Sequence, residues 1–227
     1  VKISQRLQQI DKMINQHYDH IWDCCCDHGL LGARLLKRET ANTIHFVDVV
    51  DTLMLELEGK LQRFFPQSGV SNKRWQVHCM DVAHLPLEAE DSQESHLIII
   101  AGVGGELVTD LVKALLARYP AKALEFILCP VHHNYLVRTE LATLQLGLVN
   151  ECLVEENKRF YEVLHLSTSS QEPISNTGKK MWDLTRDADR RYLSKTLDHY
   201  RNMSKSSQAN FAKVAPIIED YEKLNDL

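Results

Sequence analysis

The chain has 227 residues, enough for one large domain or one domain with a small appendage, and its 44% hydrophobic and 25% charged residues are those of an ordinary globular protein. No run of about 18 apolar residues occurs, which excludes a membrane span. A net charge of −5 excludes a chain-wide basic footprint for nucleic acid. The first residues, VKISQRLQQIDKM, are amphipathic and lack the apolar centre of a signal peptide, and they predict a helix over Ile3–Gln16. Apolar runs then predict strands at His20–Cys26, Thr43–Val49, Trp75–Met80, Ser95–Ala101 and Leu124–Pro130. Helical spacing between and after them predicts helices at Leu30–Glu39, Thr52–Phe65, Glu106–Arg118 and Tyr135–Leu146. Two further strands, Leu148–Glu155 and Arg159–Thr168, follow each other directly, as in a hairpin. The alternation implies crossover units and a parallel sheet covered on both faces, closed by a terminal hairpin.

Residues 169–178, SSQEPISNTG, form a Ser, Pro and Gly-bearing break, which predicts a division into 1–168, a linker over 169–178 and 179–227. Beyond it, apolar residues recur at helical spacing in two stretches, Ala188 to Tyr200 and Phe211 to Leu224, as expected of a helical hairpin. Between Lys179 and Lys213 nine basic residues stand against four acids, a local excess of five positive charges on a chain that is acidic as a whole.

The densest chemistry lies in HIWDCCCDHGLLGARLL, residues 20 to 36, where a strand passes into a helix. In open parallel sheets ligands sit beyond the carboxyl ends of the strands, beside helix amino termini. The turn lacks the G-x-G-x-x-G of a dinucleotide fold. It carries an acid at either edge instead, Asp23 and Asp27, and either suits a cationic amino group. Zinc is not expected from the three adjacent cysteines: structural sites space thiolates about two to four residues apart, and no C-x-x-C occurs in the chain. On a strand Cys24 and Cys26 would point one way and Cys25 the other, as small residues under helices. All six cysteines fall in apolar, strand-like surroundings, the habit of reduced cytosolic thiols, so a cytoplasmic protein is expected.

Acids recur at the next strand ends. Asp48 closes HFVDVV, where a carboxylate can accept both hydroxyls of a ribose. Asp81 closes VHCMD, placed for an adenine amino group. The fourth strand runs out as IIIAGVGGEL, whose glycines let the backbone approach a ligand and offer it N–H or carbonyl groups.

Together these stretches resemble the bacterial tRNA (adenine-22-N1) methyltransferases. ISQRL is similar to that family's L-S-x-R-L opening, WDCCCDHGLLG to A-D-I-G-S-D-H-A-Y-L-P, and IIIAGVGG to I-A-G-M-G-G; FILCP is similar to L-I-L-Q-P, and EENKRFYEV to E-E-x-x-K-x-Y-E-V. The resemblance runs through almost the whole chain. It implies an α/β, Rossmann-like class I methyltransferase sheet of seven strands, the last antiparallel, with a C-terminal helical domain. It also implies S-adenosyl-L-methionine (AdoMet) as cofactor and tRNA as partner, with no membrane and no metal. Carried over, Asp23, Cys25, Asp27, His28, Asp48, Val49, Asp81 and Val82 line the cofactor pocket. Ala101, Gly102 and Val103 form its floor, and Arg6 closes over it. Asp27 and His28 are the candidate catalytic pair, Asp27 as a carboxylate beside the cationic product. Substrate contacts are expected from Gly104, Gly105, Asn134 and Tyr161, and phosphate contacts from Lys179, Lys180, Arg190 and Arg191. The chain departs from the family where Cys25 replaces a turn glycine, where Leu30 and Gly32 replace tyrosine and proline, and where Asn134 comes three residues late after FILCP. The alternative readings are a methyltransferase for another RNA, a protein or a small molecule on the same fold, or a non-catalytic AdoMet-binding module.

Overall fold

A computed structural model describes residues 3–67, 74–87, 94–205 and 207–226. Seven strands form one mixed sheet: β1 Tyr18–Cys24, β2 Ala41–Asp48, β3 Trp75–Cys79, β4 His96–Ala101, β5 Leu124–Cys129, β6 Gly147–Glu156 and β7 Arg159–Ser167. Their order is β3-β2-β1-β4-β5-β7-β6. The first five pair in parallel, while β7 inserts between β5 and β6 and runs antiparallel to both. The chain leaves β1 towards β2 and β3, then crosses back to β4 on the other side. The crevice that this reversal opens lies at the carboxyl ends of β1 and β4.

Side chains alternate along each strand, so the sheet builds two cores. Ile21, Phe46 and Ile99 face α1 Gln5–Met13, α2 Leu30–Arg38 and α3 Asp51–Phe64 through Ile10, Leu35 and Leu57. Trp22, Val47 and Ile98 face the other way, against α4 Gly105–Arg118 and α5 Asn134–Leu141 through Val108, Leu115 and Leu141. Each fully buried Leu or Ile stabilises the fold by about 1.5–3 kcal/mol. The first helix ends before Gln16, because Ile14 turns extended and gives its carbonyl to Arg38 of α2 at 3.3 Å. α5 ends at Leu141 rather than Leu146 because 142–146 turn back into β6.

The last two helices, α6 Asp187–Ser204 and α7 Gln208–Glu222, pack as a hairpin around Leu193, Leu197 and Tyr221. Residues 170–178 lie against the sheet edge. The Ser170 hydroxyl donates to the Leu148 carbonyl at 2.7 Å, the Leu148 N–H donates to the Glu172 carbonyl at 2.7 Å, and Ile174 and Thr177 are buried. Behind them Arg138 of α5 is wholly buried between two carboxylates, Glu162 of β7 at 2.6 Å and Glu151 of β6 at 2.7 Å. Tyr192 of α6 donates its hydroxyl to the other oxygen of Glu162 at 2.6 Å. One buried ionic cluster thus ties sheet, α5 and helical hairpin together. None of the described helices is long and apolar enough to cross a membrane.

Candidate active site

Strand β1 stops at Cys24, so the run of three cysteines does not alternate as a strand would. Cys24 and Cys25 pack against the core under α4, and Cys26 against the core under α2. The expectation of six packed thiols is also corrected at Cys79, which ends an outer strand and is exposed. The turn that follows β1 is tight. Cys25 (φ 55°), Asp27 (φ 51°) and Gly29 (φ 64°) all adopt the left-handed conformation, which costs an ordinary residue about 1–2 kcal/mol. Hydrogen bonds from the neighbouring strand hold it there. The Cys26 N–H donates to the Val47 carbonyl at 3.2 Å, and the Asp27 N–H donates to the Asp48 carboxylate at 3.1 Å.

The two acids of the turn do different things. Asp23 is buried and accepts the N–H of Gly32, inside the first turns of α2, at 2.8 Å. Burial pushes its carboxyl up to about 7, which the Gly32 N–H opposes and the charge of Asp48 reinforces. Asp27 is exposed, with His28 Nε2 3.6 Å from its Oδ1. The thiol of Cys25 is pushed up to about 11 by burial, and then by Asp48, Asp23 and Asp81.

A cleft of about 180 Å³ opens over this turn, lined by Asp23, Cys25, Asp27 and His28, by Ala101 and Gly102 at the end of β4, and by Arg6 from α1. The Arg6 guanidinium lies 4.8 Å above the Tyr161 ring, and its buried Nε has no hydrogen-bond partner. Gly102 has φ +87°, a left-handed position that glycine fills without strain, and a Cβ there would lie 3.5 Å from Arg6. Asp48 stands at the next strand end; besides the Asp27 N–H it accepts that of Val50 at 3.2 Å. Val49 beside it is 66% exposed. Asp81 accepts the Ala83 N–H at 2.9 Å and so starts a short 3₁₀ turn, Val82–His84, whose Val82 is buried.

The structure therefore gathers Arg6, the 23–28 turn, Asp48, Asp81 and 101–103 along one rim of the sheet. Gly104 and Gly105 start α4 at the same rim, but what a Cβ would strike there is the next loop: His132 at 2.9 Å for Gly104, and the His132 carbonyl at 2.6 Å for Gly105. Asn134 opens α5 and donates to the Tyr192 hydroxyl at 3.1 Å. Arg191 reaches Glu155 at 2.6 Å, near the top of β6, and Arg190 bonds the carbonyls of Leu184 and Thr185 at 2.7 and 2.8 Å. Lys179 and Lys180 are not brought to the rim. They border a groove with Leu148 and Glu151, towards the opposite end of β6, where Lys180 pairs with Glu172 at 3.0 Å. Two contributors escaped the sequence reading. Leu7 adds an apolar wall to the cleft, and Glu156 accepts the Gln5 N–H at 2.5 Å, which pins the start of α1 above it. The helical spacing of Leu7 with Ile10 and Ile14 was the available signal for the first; the second had none.

Comparison with known proteins agrees with this geometry. The structure of M. capricolum TrmK in complex with S-adenosyl-homocysteine superposes with a TM-score of 0.79 at 14% identity, over 99% of this chain and 98% of that one. The B. subtilis m1A22 tRNA methyltransferase TrmK superposes with a TM-score of 0.71 at 20% identity, over 98% of each chain. The magnesium protoporphyrin IX methyltransferase of Synechocystis gives a TM-score of 0.53 at 15% identity, over 71% of this chain and 79% of that one. No curated protein sequence matches the chain. The sequence profile of the methyltransferase domain matches residues 3–164, which spans α1, the rim turn and all of the sheet except the end of its last strand. With the sheet order, the switch-point cleft and that match in agreement, the chain belongs to the methyltransferase-domain family.

Proposed function

We propose that the protein transfers a methyl group from AdoMet to N1 of an adenine in tRNA, at position 22, in the cytoplasm. Residues 1–168 would bind the donor, 169–178 connect, and 179–227 help to hold the RNA. The observation that carries this reading is one of extent. The tRNA methyltransferase structures match 98–99% of the chain, the helical hairpin included, whereas the porphyrin methyltransferase matches 71%.

The rim suits the donor. Arg6 lines the cleft, and its guanidinium fits the carboxylate of an amino acid, while Asp27 and Asp23 fit its ammonium group. Asp48, already receiving two backbone N–H groups, is oriented for ribose hydroxyls, with Val49 beside it. Asp81 and Val82 would flank the adenine of the donor. When bound, AdoMet supplies a methyl group on a sulfonium, open to in-line displacement. Cys25, Ala101, Gly102 and Val103 would fix the line of approach, and such alignment contributes about 7–11 kcal/mol to well-oriented reactions. Adenine N1 carries a free lone pair, so no strong base is needed. The exposed carboxylate of Asp27 would stabilise the cationic product, with His28 beside it. Gly104, Gly105, Asn134 and Tyr161 would border the acceptor.

The phosphate contacts follow from exposure. Lys179, Lys195, Lys205 and Lys213 are exposed, and so are Arg190 and Arg191, which pair with Asp187. Surface pairs of this kind are worth about 0–1 kcal/mol and can be exchanged for phosphate. Lys180 is similarly paired, with Glu172. Incubation of adenine-22 tRNA with the protein and AdoMet, followed by nucleoside mass spectrometry, should yield 1-methyladenosine. No methylated nucleoside above the protein-free control would reject the reading.

A further inference from the structure

A second cavity, of about 380 Å³, lies between the sheet rim and the helical hairpin, and the donor cleft makes no use of it. We infer that it is a stacking subsite for an unpaired nucleotide next to the methylated adenine. The inference rests on the RNA reading above and adds to it where a neighbouring base goes.

Three observations carry it. First, the cavity shares a wall with the rim. His132 lines it and also lies against Gly104, where a Cβ would meet the imidazole at 2.9 Å. Adjacent residues of β7 serve the two spaces, since side chains alternate along a strand. Tyr161 lies under Arg6 of the donor cleft, while Phe160 lines the cavity. The start of β7 thus stands between the two spaces, which an RNA strand entering the cleft and continuing past the rim can reach in turn. Second, the walls are rings. Phe160 is half-buried, and its centroid lies 5.1 Å from that of Tyr192; His199 and Tyr200 of α6 form a further edge, 5.1 Å apart. Aromatic walls hold bases by stacking, whatever their sequence. Third, the charge is selective. Among the described residues no acid lines the cavity, although the chain is acidic overall and the groove by Lys180 is lined by Glu151, Glu172 and Asp220. Lys195 instead lies 5.9 Å over the Phe160 ring, exposed and placed to meet a phosphate as the base stacks beneath it. Rings, a cation and no carboxylate describe a site for a nucleotide, and they disfavour an ammonium or a basic peptide.

The test uses the full chain and full-length tRNA transcripts in which the nucleotide on either side of the target adenine is replaced, one at a time, by an abasic residue. Phe160→Ala should raise the KM for unmodified tRNA about tenfold and leave kcat within about twofold, the size expected for one lost stack. Removing the correct flanking base should cost the wild-type protein the same factor and cost the variant nothing more. The double change Lys195→Ala and His199→Ala, confined to exposed side chains, should weaken tRNA binding several-fold and leave the thermal midpoint unchanged. Independent, additive losses from the protein and RNA changes would overturn the subsite while methylation itself stands; so would an unaltered KM in both variants. A wild-type protein that neither binds nor methylates tRNA would remove the RNA reading and this subsite with it.

Discussion

At the scale of single residues, the turn after β1 sets two opposing demands. Cys25 sits at φ 55°, where glycine is at ease and a side chain is not, yet the chain keeps a thiol packed under α4. Cys25→Gly should therefore leave the fold intact and raise stability by about 0.5–1 kcal/mol in urea unfolding, as backbone strain is relieved. A loss of stability would mean that packing of the thiol outweighs the strain. Asp48 is the other informative position. Its carboxylate holds both the Asp27 turn and the start of α3, through N–H groups at 3.1 and 3.2 Å. Asp48→Ala should weaken AdoMet binding at least tenfold by calorimetry, about 1.4 kcal/mol. Unchanged affinity would detach the ribose from this residue. Asp48 was legible in the sequence because it closes an apolar strand. That Asp23 braces α2 through Gly32 was not, since the two residues meet only once the helix has folded back on the strand.

At the level of elements, the seven strands and seven α-helices of the described residues were readable from periodicity, because burial on one face or two leaves its mark at spacings of two and of three to four. What docks the helical hairpin was not readable. Arg138, Glu151 and Glu162 stand on three different elements, and each looks like an ordinary charged residue of an amphipathic element. Folding leaves all three side chains without solvent contact. The two carboxylates hold the Arg138 guanidinium above its usual range despite the cost of burial. Arg138→Met would leave two acids buried without a counter-ion, and the expected cost is about 3–5 kcal/mol. The denaturation midpoint should fall accordingly, and substantially less loss would show that water reaches the cluster.

At the scale of the whole molecule, a row of imidazoles crosses the sheet under its α4 side. His20 Nδ1 lies 2.9 Å from His45 Nε2, His45 Nδ1 lies 2.9 Å from His78 Nε2, and Trp22 donates to His96 at 3.2 Å. Burial, reinforced by the neighbouring rings, pushes His45 down to about 2; burial, with Lys122 and His20 nearby, pushes His96 down to about 3. Burial lowers His78 as well, and Glu94 and Asp19 are the acids next to the row. Unfolding returns His45, His78 and His96 to a pKa of about 6.5, so below that pH the unfolded chain binds more protons. The stabilisation is complete above about pH 6.5 and is lost as pH falls towards the folded values, by up to about 1.4 kcal/mol per pH unit for each ring. The thermal midpoint should drop steadily between pH 7 and pH 5, and His45→Gln should flatten that slope. A midpoint independent of pH over this range would mean that the rings take up protons as readily in the fold as in the unfolded chain.

The order of strands and helices, the acids at the strand ends and the resemblance to a methyltransferase family are all written along the chain, since each depends on neighbours within a few residues or on a motif of fixed spacing. Which acid of the first turn is exposed, which cations stay clear of the rim, and the second cavity lined by Phe160 and His132 emerge only on folding. Those outcomes depend on how separate elements of the chain close on one another, and burial and pairing between elements leave no period along the chain.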